Sequence, residues 1–454
     1  METIKIKKGL DIPLDGTAER RIVDARTIER YAVKPPDVVG FTPRLCVAEG
    51  DTVVAGQPLV EDKNDPRLKL PSPVSGTVEA IVRGEKRKLL EVVVKVENSK
   101  LKIENSADAS KILNSQFSIL NSPVWWMLRE RPFGTIANPD HKPKGIFVSL
   151  RDTNPLAPDL DFALKGREHE FEAGIKALEA IAPVHCVKAK GPHPAGNIGT
   201  IVAAIDPINK GEYVWSVNAQ DVANIGRWCL TGEYRPERVI AVGGPAAKCP
   251  KYYRVICGAC MKRISDAQMM NSLYPSVETF HETSLQHTTR IISGSVLSGN
   301  AIKADGFLGM YDQQVCFIEE GDKYDFMGWL MPGLKKFSFS KTFLSGLLGK
   351  LGNLEILDTL GMPRLSYNFN TNIHGSVRPF LFTGSFERVF PFDIYPLQLI
   401  KACIVGDVEL QEKLGIYEVE PEDFALCEFI DPSKTEIQTI IREALEVHRK
   451  EAIS

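Results

Sequence analysis

No run in these 454 residues approaches the ~18 to 20 consecutive apolar residues that a spanning helix requires. The sequence therefore predicts no bilayer crossing, and the chain alone offers no path for an ion. Charge of one sign is not in excess either: Lys and Arg total 55 against 58 Asp and Glu, a net −3, which excludes the basic field that draws nucleic acid or an anionic bilayer. The opening METIKIKKGLDIP has neither the apolar core nor the small-residue cleavage site of a secretory signal, so a cytosolic location is expected. Nine cysteines, an odd and scattered set, argue against a disulfide framework. No GK[ST] phosphate motif, Ser/His/Asp set or paired-carboxylate spacing stands out. What is present is the composition of an ordinary globular protein, 43% apolar and 25% charged, at a length that predicts about three domains.

Between residues 38 and 98, short β-rich runs alternate with turns at Gly50-Asp51, Gly56-Gln57 and Pro73…Gly76. The pattern GD-x-V-x-x-GQ-x-L followed by P-x-S-G-x-V resembles the biotinyl/lipoyl barrel-sandwich family, with glycines supplying the positive φ that tight hairpins need. Residues 99–122 are polar and partly repetitive and read as an insertion or linker. PVWWMLRERPF predicts a short helix from about Pro123. GIFVSL, TIVAAI, YVWSV and RVIAVGG read as strands, and EHEFEAGIKALEAI and AQDVANIGRWCL as helices, the first with Phe171, Ile175, Leu178 and Ala182 on one face. That alternation predicts an α/β layer. YYRVI and RIISGSVL predict a mixed β domain. Near the end, Ser433 and Glu436 read as a capping box ahead of a helix whose buried face carries Ile437, Ile440, Ile441, Leu445 and His448.

Several constellations could carry chemistry. Cys257-Gly-Ala-Cys260 has the i, i+3 spacing of a metal or redox pair. No second pair accompanies it, so two buried thiols are the favoured reading and no metal is assigned. The loop Gly191-Pro-His-Pro-Ala-Gly196-Asn-Ile-Gly199 is glycine-rich, but with TIVAAI read as a strand it lacks the helix start on which a phosphate cradle depends, and a structural turn is favoured. Lys63 stands where a lipoyl carrier has its modified lysine, yet only seven residues after Gly56 and beside the charged DPRLKL, which favours a solvated turn lysine. His141, His193 and His374 fall in Gly/Pro-rich loops, where function is commoner than in core positions. The segment YDFMGWLMPGLKKFSFSKTFLS offers Trp329, Met331, Lys335, Lys336, Phe337 and Phe339 as a docking surface for a membrane partner.

Blocks along nearly the whole chain are similar to one family, the A subunits of sodium-translocating NADH:quinone reductases (Na⁺-NQR). They are IKIKKGLDIPLDG, the 38–82 block, RPFGTIANPDHKPK, HPAGNIG, VWSVNAQDVANIGRWCLTGEY, RIISGSVLSG, GWLMPGLKKFSFSKTFLS and FERVFPFDIYPLQLIKACIVGD. That family resembles in turn the flavin-bearing NADH-oxidising subunit of respiratory complex I and the C subunit of the Rnf complex. Those relatives hold FMN on a G-R-G-G-A-G-F-P loop, where this sequence has RERPFGTIANPD, and they carry a C-x-x-C-x-x-C motif where only Cys427 stands here. The resemblance thus implies loss of FMN, of the NADH site and of the [4Fe–4S] cluster. It implies a cytoplasmic peripheral subunit, on the inner face of the bacterial inner membrane, that supports reduction of ubiquinone or menaquinone coupled to Na⁺ export. Its implied partners are five other subunits, chiefly the membrane-embedded B subunit, and quinone; no cofactor is held tightly by the chain itself.

A quinone headgroup needs a flat apolar slot and a donor for each carbonyl, and Trp125, Trp126, Arg131, Phe133 and His141 offer such groups in one segment. The rival functions are a working flavoenzyme of the complex I or Rnf type and a lipoyl or biotin carrier. The expected architecture is α+β and multidomain: a barrel-sandwich module at 1–100, a linker at 101–122, a Rossmann-like α/β domain at 123–235, a β-grasp-like (SLBB-like) domain at 236–320, and a docking segment with a helical C-terminal domain at 321–454.

Overall fold

The GD-x-V-x-x-GQ-x-L pattern folds as two small antiparallel sheets packed face to face. The chain's first strand, β1 (Glu19–Asp24), lies outside them; β2 (Arg30–Val33), β3 (Pro43–Leu45), β4 (Thr52–Val53), β5 (Pro58–Asp62), β6 (Lys69–Pro71), β7 (Gly76–Arg83) and β8 (Leu89–Lys95) pair in the orders β2-β8-β7-β4 and β3-β5-β6. Gly50 and Gly56 take φ of 89° and 87° at the turns, and Leu59, Val60, Leu70, Val92 and Val94 are fully buried. This computed structural model describes residues 2–26, 28–96, 117–120, 122–269, 289–322, 336–337, 339, 366–373, 376–380 and 384–453. Most of the polar stretch expected at 101–122 therefore lies outside the described residues; its end forms one helical turn, α1 (Phe117–Leu120).

The α/β domain is a five-stranded sheet. Its elements are β9 (Arg129–Arg131), β10 (Thr135–Ile136), β11 (Ile146–Ser149), α2 (Leu160–Ala163), α3 (Glu168–Glu179), β12 (Val184–Val187), α4 (Ile198–Ile205), β13 (Val214–Ser216) and α5 (Ala219–Thr231). The sheet runs β10-β9-β13-β11-β12, with β11, β12 and β13 parallel and β9 antiparallel to β13. Side chains alternate across β11: Ile146 and Val148 face the core shared with α3 and α5, while Phe147 faces Ile201 and Val202 of α4. Helices α3 and α5 touch backbone to backbone. A Cβ at Gly174 would lie 2.0 Å from the Val222 carbonyl oxygen, and one at Gly226 would lie 1.7 Å from that of Glu170.

Two expectations fail in this domain. TIVAAI belongs to α4 and is not a strand; a short run that is apolar on every side has no periodicity to separate the two. PVWWMLRERPF is not a helix but a single 3₁₀ turn, Trp125–Met127, followed by strand β9.

Next come β14 (Glu237–Gly243), β15 (Lys251–Ile256), α6 (Lys262–Met269), β16 (Thr289–Ser293), β17 (Asn300–Ile302) and β18 (Gln314–Glu319). Their sheet has the order β15-β14-β18-β16-β17 with β18 parallel to β14, the mixed arrangement of a β-grasp, and β1 adds to it in parallel beside β15.

The C-terminal helices are α7 (Pro396–Val405), α8 (Val408–Lys413), α9 (Ala425–Ile430) and α10 (Ile437–Ile453). They enclose Phe386, Phe390, Phe424, Ile437, Ile441 and Leu445 in a second core that also takes in Phe133 of the α/β domain. The expected buried face of α10 is present, but the capping box is not as expected. Glu428 of α9 accepts from the Gln438 N–H at 2.8 Å, while Asp431 accepts from the Ser433 and Thr435 N–H groups. Among the described residues no helix is long and apolar enough to cross a membrane.

Candidate functional site

Strand β9 divides the residues that the sequence groups together. Its alternation sends Glu130 to one face and Arg129 and Arg131 to the other. On Glu130's side is a pocket of about 570 Å³, walled by Val38–Phe41, Asp62 and Leu68 of the barrel-sandwich module, Phe133, Ile136, His141 and Tyr213 of the α/β domain, and Arg449 of α10. His141 Nδ1 lies 2.9 Å from Glu130 Oε1, and its ring stacks on Tyr213 at 3.9 Å and 18°. The second oxygen of Glu130 accepts from Trp215 Nε1 at 2.9 Å. Burial pushes the Glu130 carboxyl up, against the pull of Trp215 and His141. Asp62, on the opposite wall, is likewise raised by burial. The pocket therefore joins apolar surface to an imidazole backed by a carboxyl inclined to hold a proton.

Of the five quinone candidates, only Phe133 and His141 line this pocket. Trp125 donates to the Ala137 carbonyl at 2.9 Å and packs edge-on against Trp215, and Trp126 donates to the Tyr234 hydroxyl at 3.1 Å. Both indoles are core. Arg131 is 1% exposed and points the other way, donating to Asp423 at 2.6 Å. Sequence reasoning missed Glu130, Tyr213 and Asp62. Glu130 left a trace, being the middle residue of Arg-Glu-Arg in a strand, where alternation sets it apart from both neighbours.

A second cavity, about 360 Å³, lies where β11 and β13 diverge in their connections, at the carboxyl ends of the parallel strands. Ser149, Ser216 and Asn218 line it together with the starts of α4 and α5, Arg129, Tyr311, Gln314, Glu420, Glu422 and Arg442. Burial and the neighbouring carboxylates Asp423 and Glu420 push Glu422 up to about 7. The loop from Gly191 to Gly199 leads into α4, so the helix start that the sequence pattern denied it is present. His193 in that loop is enclosed, and burial lowers it to about 4.

The other expected residues fall as follows. Cys257 and Cys260 sit in the core with thiols raised by burial, Cys257 to about 12, and Cys260 donates to the Asp305 carbonyl. Among the described residues, no three potential metal ligands gather. Cys427 is enclosed in the C-terminal core. Trp329, Met331, Lys335 and His374 lie outside the described residues. Lys336, Phe337 and Phe339 are half-buried. Phe337 meets Tyr367, Phe369 and Phe429 at 5.7, 5.7 and 5.8 Å, and Arg388 lies over Phe339 at 4.8 Å, so both rings pack within the chain's own C-terminal region. Lys63 is exposed, and Arg67 in the same hairpin makes a surface ion pair with Asp65 and with Asp140 of the α/β domain.

Residues 4–97 match the NqrA N-terminal barrel-sandwich hybrid domain, and residues 109–190 and 179–234 match the NqrA second alpha/beta domain. The A subunit of a Na(+)-translocating NADH-quinone reductase from Rhodopirellula baltica is 36% identical over 475 residues, covering 98% of both chains. Proteins of the same name from Pasteurella multocida and Neisseria meningitidis are 35% and 36% identical, covering 99% of this chain and all of their own length.

Proposed function

The chain belongs to the NqrA family, the A subunits of Na(+)-translocating NADH-quinone reductases, and from that premise we propose that it is a peripheral subunit on the cytoplasmic face of the complex that receives a quinone headgroup in the Phe133–His141 pocket. The observation that carries this reading is the Glu130–His141 pair in the wall of a cavity that also presents Phe41, Leu68, Phe133 and Ile136 and is large enough for a substituted ring. Reduction of a quinone to a quinol consumes two electrons and two protons and forms two O–H bonds. The electrons come from the other subunits of the complex. His141 delivers one proton to one carbonyl, Glu130 behind it orients the ring and restores that proton, the second carbonyl takes its proton from water, and Tyr213 stacks on the imidazole.

FMN is not part of this proposal. The loop after β9 has Gly134 as its single glycine, so its backbone cannot approach a phosphate as a cluster of glycines does. A carrier role is disfavoured by the setting of Lys63, only seven residues after Gly56 and beside the charged DPRLKL. The purified chain is expected to show no flavin band in its visible spectrum and to bind a short-tailed ubiquinone, read as quenching of the fluorescence of Trp215, which touches Glu130. A yellow protein, or a chain that leaves the quinone unbound, would overturn the reading.

A further inference from the structure

Residues 2–6 extend the α/β sheet by one strand beyond β12 and run parallel to it. The Glu2 N–H donates to the Cys186 carbonyl at 2.9 Å, the Lys188 N–H to that of Glu2 at 3.0 Å, the Lys190 N–H to that of Ile4 at 2.8 Å, and the Ile6 N–H to that of Lys190 at 2.8 Å. Along a strand, successive residues turn their backbone groups to opposite edges. Glu2, Ile4 and Ile6 are thus engaged inward, while the N–H and C=O groups of Thr3 and Lys5 face outward and make no hydrogen bond. Both residues are exposed, so this edge of the sheet is open.

The same alternation sorts the side chains. Ile4 and Ile6 pack with Val187, Ala189 and Ile201 on the α4 side. Lys5 pairs with Lys190 in the register and stands with it on the other face. Lys7 and Lys8 follow directly, and all four lysines are exposed. Lys188 has Asp161 at 2.6 Å, but among the described residues Lys5, Lys7, Lys8 and Lys190 have no carboxylate within ion-pair reach. An open row of backbone donors and acceptors therefore carries a concentrated positive charge, on a chain whose net charge is −3.

We propose that this edge is the docking site for an extended acidic segment of another subunit, which adds as a strand along Thr3 and Lys5 and sets its carboxylates among the lysines. The backbone half of the surface calls for a peptide, because unpaired N–H and C=O groups at strand spacing are matched by another strand and not by a lipid headgroup or a free anion. The charged half excludes a second copy of the same edge, since that pairing would bring lysine against lysine. Ion pairs at such an exposed rim speed the encounter and select the partner, while the ladder holds it. The inference rests on the reading of the chain as a peripheral subunit and is independent of the quinone pocket.

The test is amide hydrogen exchange of the isolated full chain and of the assembled complex, read by mass spectrometry with fragmentation that resolves single amides in residues 2–8. The Thr3 and Lys5 amides should exchange at least about tenfold more slowly in the complex than in the isolated chain. Lys5→Glu combined with Lys190→Glu should weaken rebinding of the chain to a complex lacking it by about tenfold at low salt and remove that protection. Both substituted side chains are exposed, so the variant keeps its fold. Exchange unchanged on assembly overturns the proposal and leaves the subunit reading intact, whereas a chain that does not assemble removes both. Protection that survives the double charge reversal overturns the acidic partner. Protection that phosphatidylglycerol vesicles give to the isolated chain assigns the edge to the membrane and overturns the proposal as well.

Discussion

Replacing His141 with alanine in the assembled complex should lower the rate of quinone reduction about 100-fold, the low end of the range for a positioned proton donor, and leave NADH oxidation by ferricyanide unchanged. The loss should appear in kcat. The apolar walls of Phe133 and Ile136 remain, so the headgroup still binds while its carbonyl loses the group that protonates it. Glu130→Gln should have a smaller effect, about 10-fold, because the amide still orients His141 but supplies no proton. It should also shift the pH profile, since a carboxyl raised by burial is removed from the pair. Equal loss of both partial reactions would indicate a collapsed subunit. No loss in either would remove His141 from the chemistry.

The largest effect on stability is expected at a different charge pair. Arg238 of β14 and Asp221 of α5 are 0% and 1% exposed in their side chains, and Arg238 also donates to the Met310 carbonyl at 2.6 Å. The pair ties the α/β domain to the β-grasp sheet. Asp221→Ala leaves a guanidinium with no counter-charge in a low-dielectric interior, which costs about 3–5 kcal/mol, because the penalty is the stranded charge and not merely the lost bond. Glu79→Ala, which breaks the exposed pair with Arg30, should cost under about 1 kcal/mol. Urea unfolding of the two variants against the parent chain checks both figures; similar shifts for the two would contradict this account of burial.

Much of the fold was legible because its signals are local. Gly50 and Gly56 mark turns that demand positive φ, and Phe171, Ile175 and Leu178 repeat at helical spacing because α3 is buried on one side. TIVAAI failed because α4 is apolar almost all round, and the segment after Pro123 failed because two adjacent tryptophans satisfy a turn as readily as a helix. The family was legible from blocks spread over the chain. The site was legible only in part, for a different reason: Phe133 and His141 lie close in sequence, but Tyr213 and Asp62 reach the pocket through sheet pairing and domain contact, which no local pattern encodes. Asp423 is further still from Arg131, 292 residues along the chain. Its only local sign is the Glu420…Asp423 spacing of a capping box, which says nothing about what else the carboxylate meets.

The central claim, that this chain holds the quinone headgroup, is tested most directly by photo-crosslinking an azido-quinone in the assembled complex and mapping the labelled peptides. The account predicts label on the peptides carrying Phe133–His141 and Tyr213, displaced by excess unlabelled quinone. Label confined to the membrane subunits would contradict it.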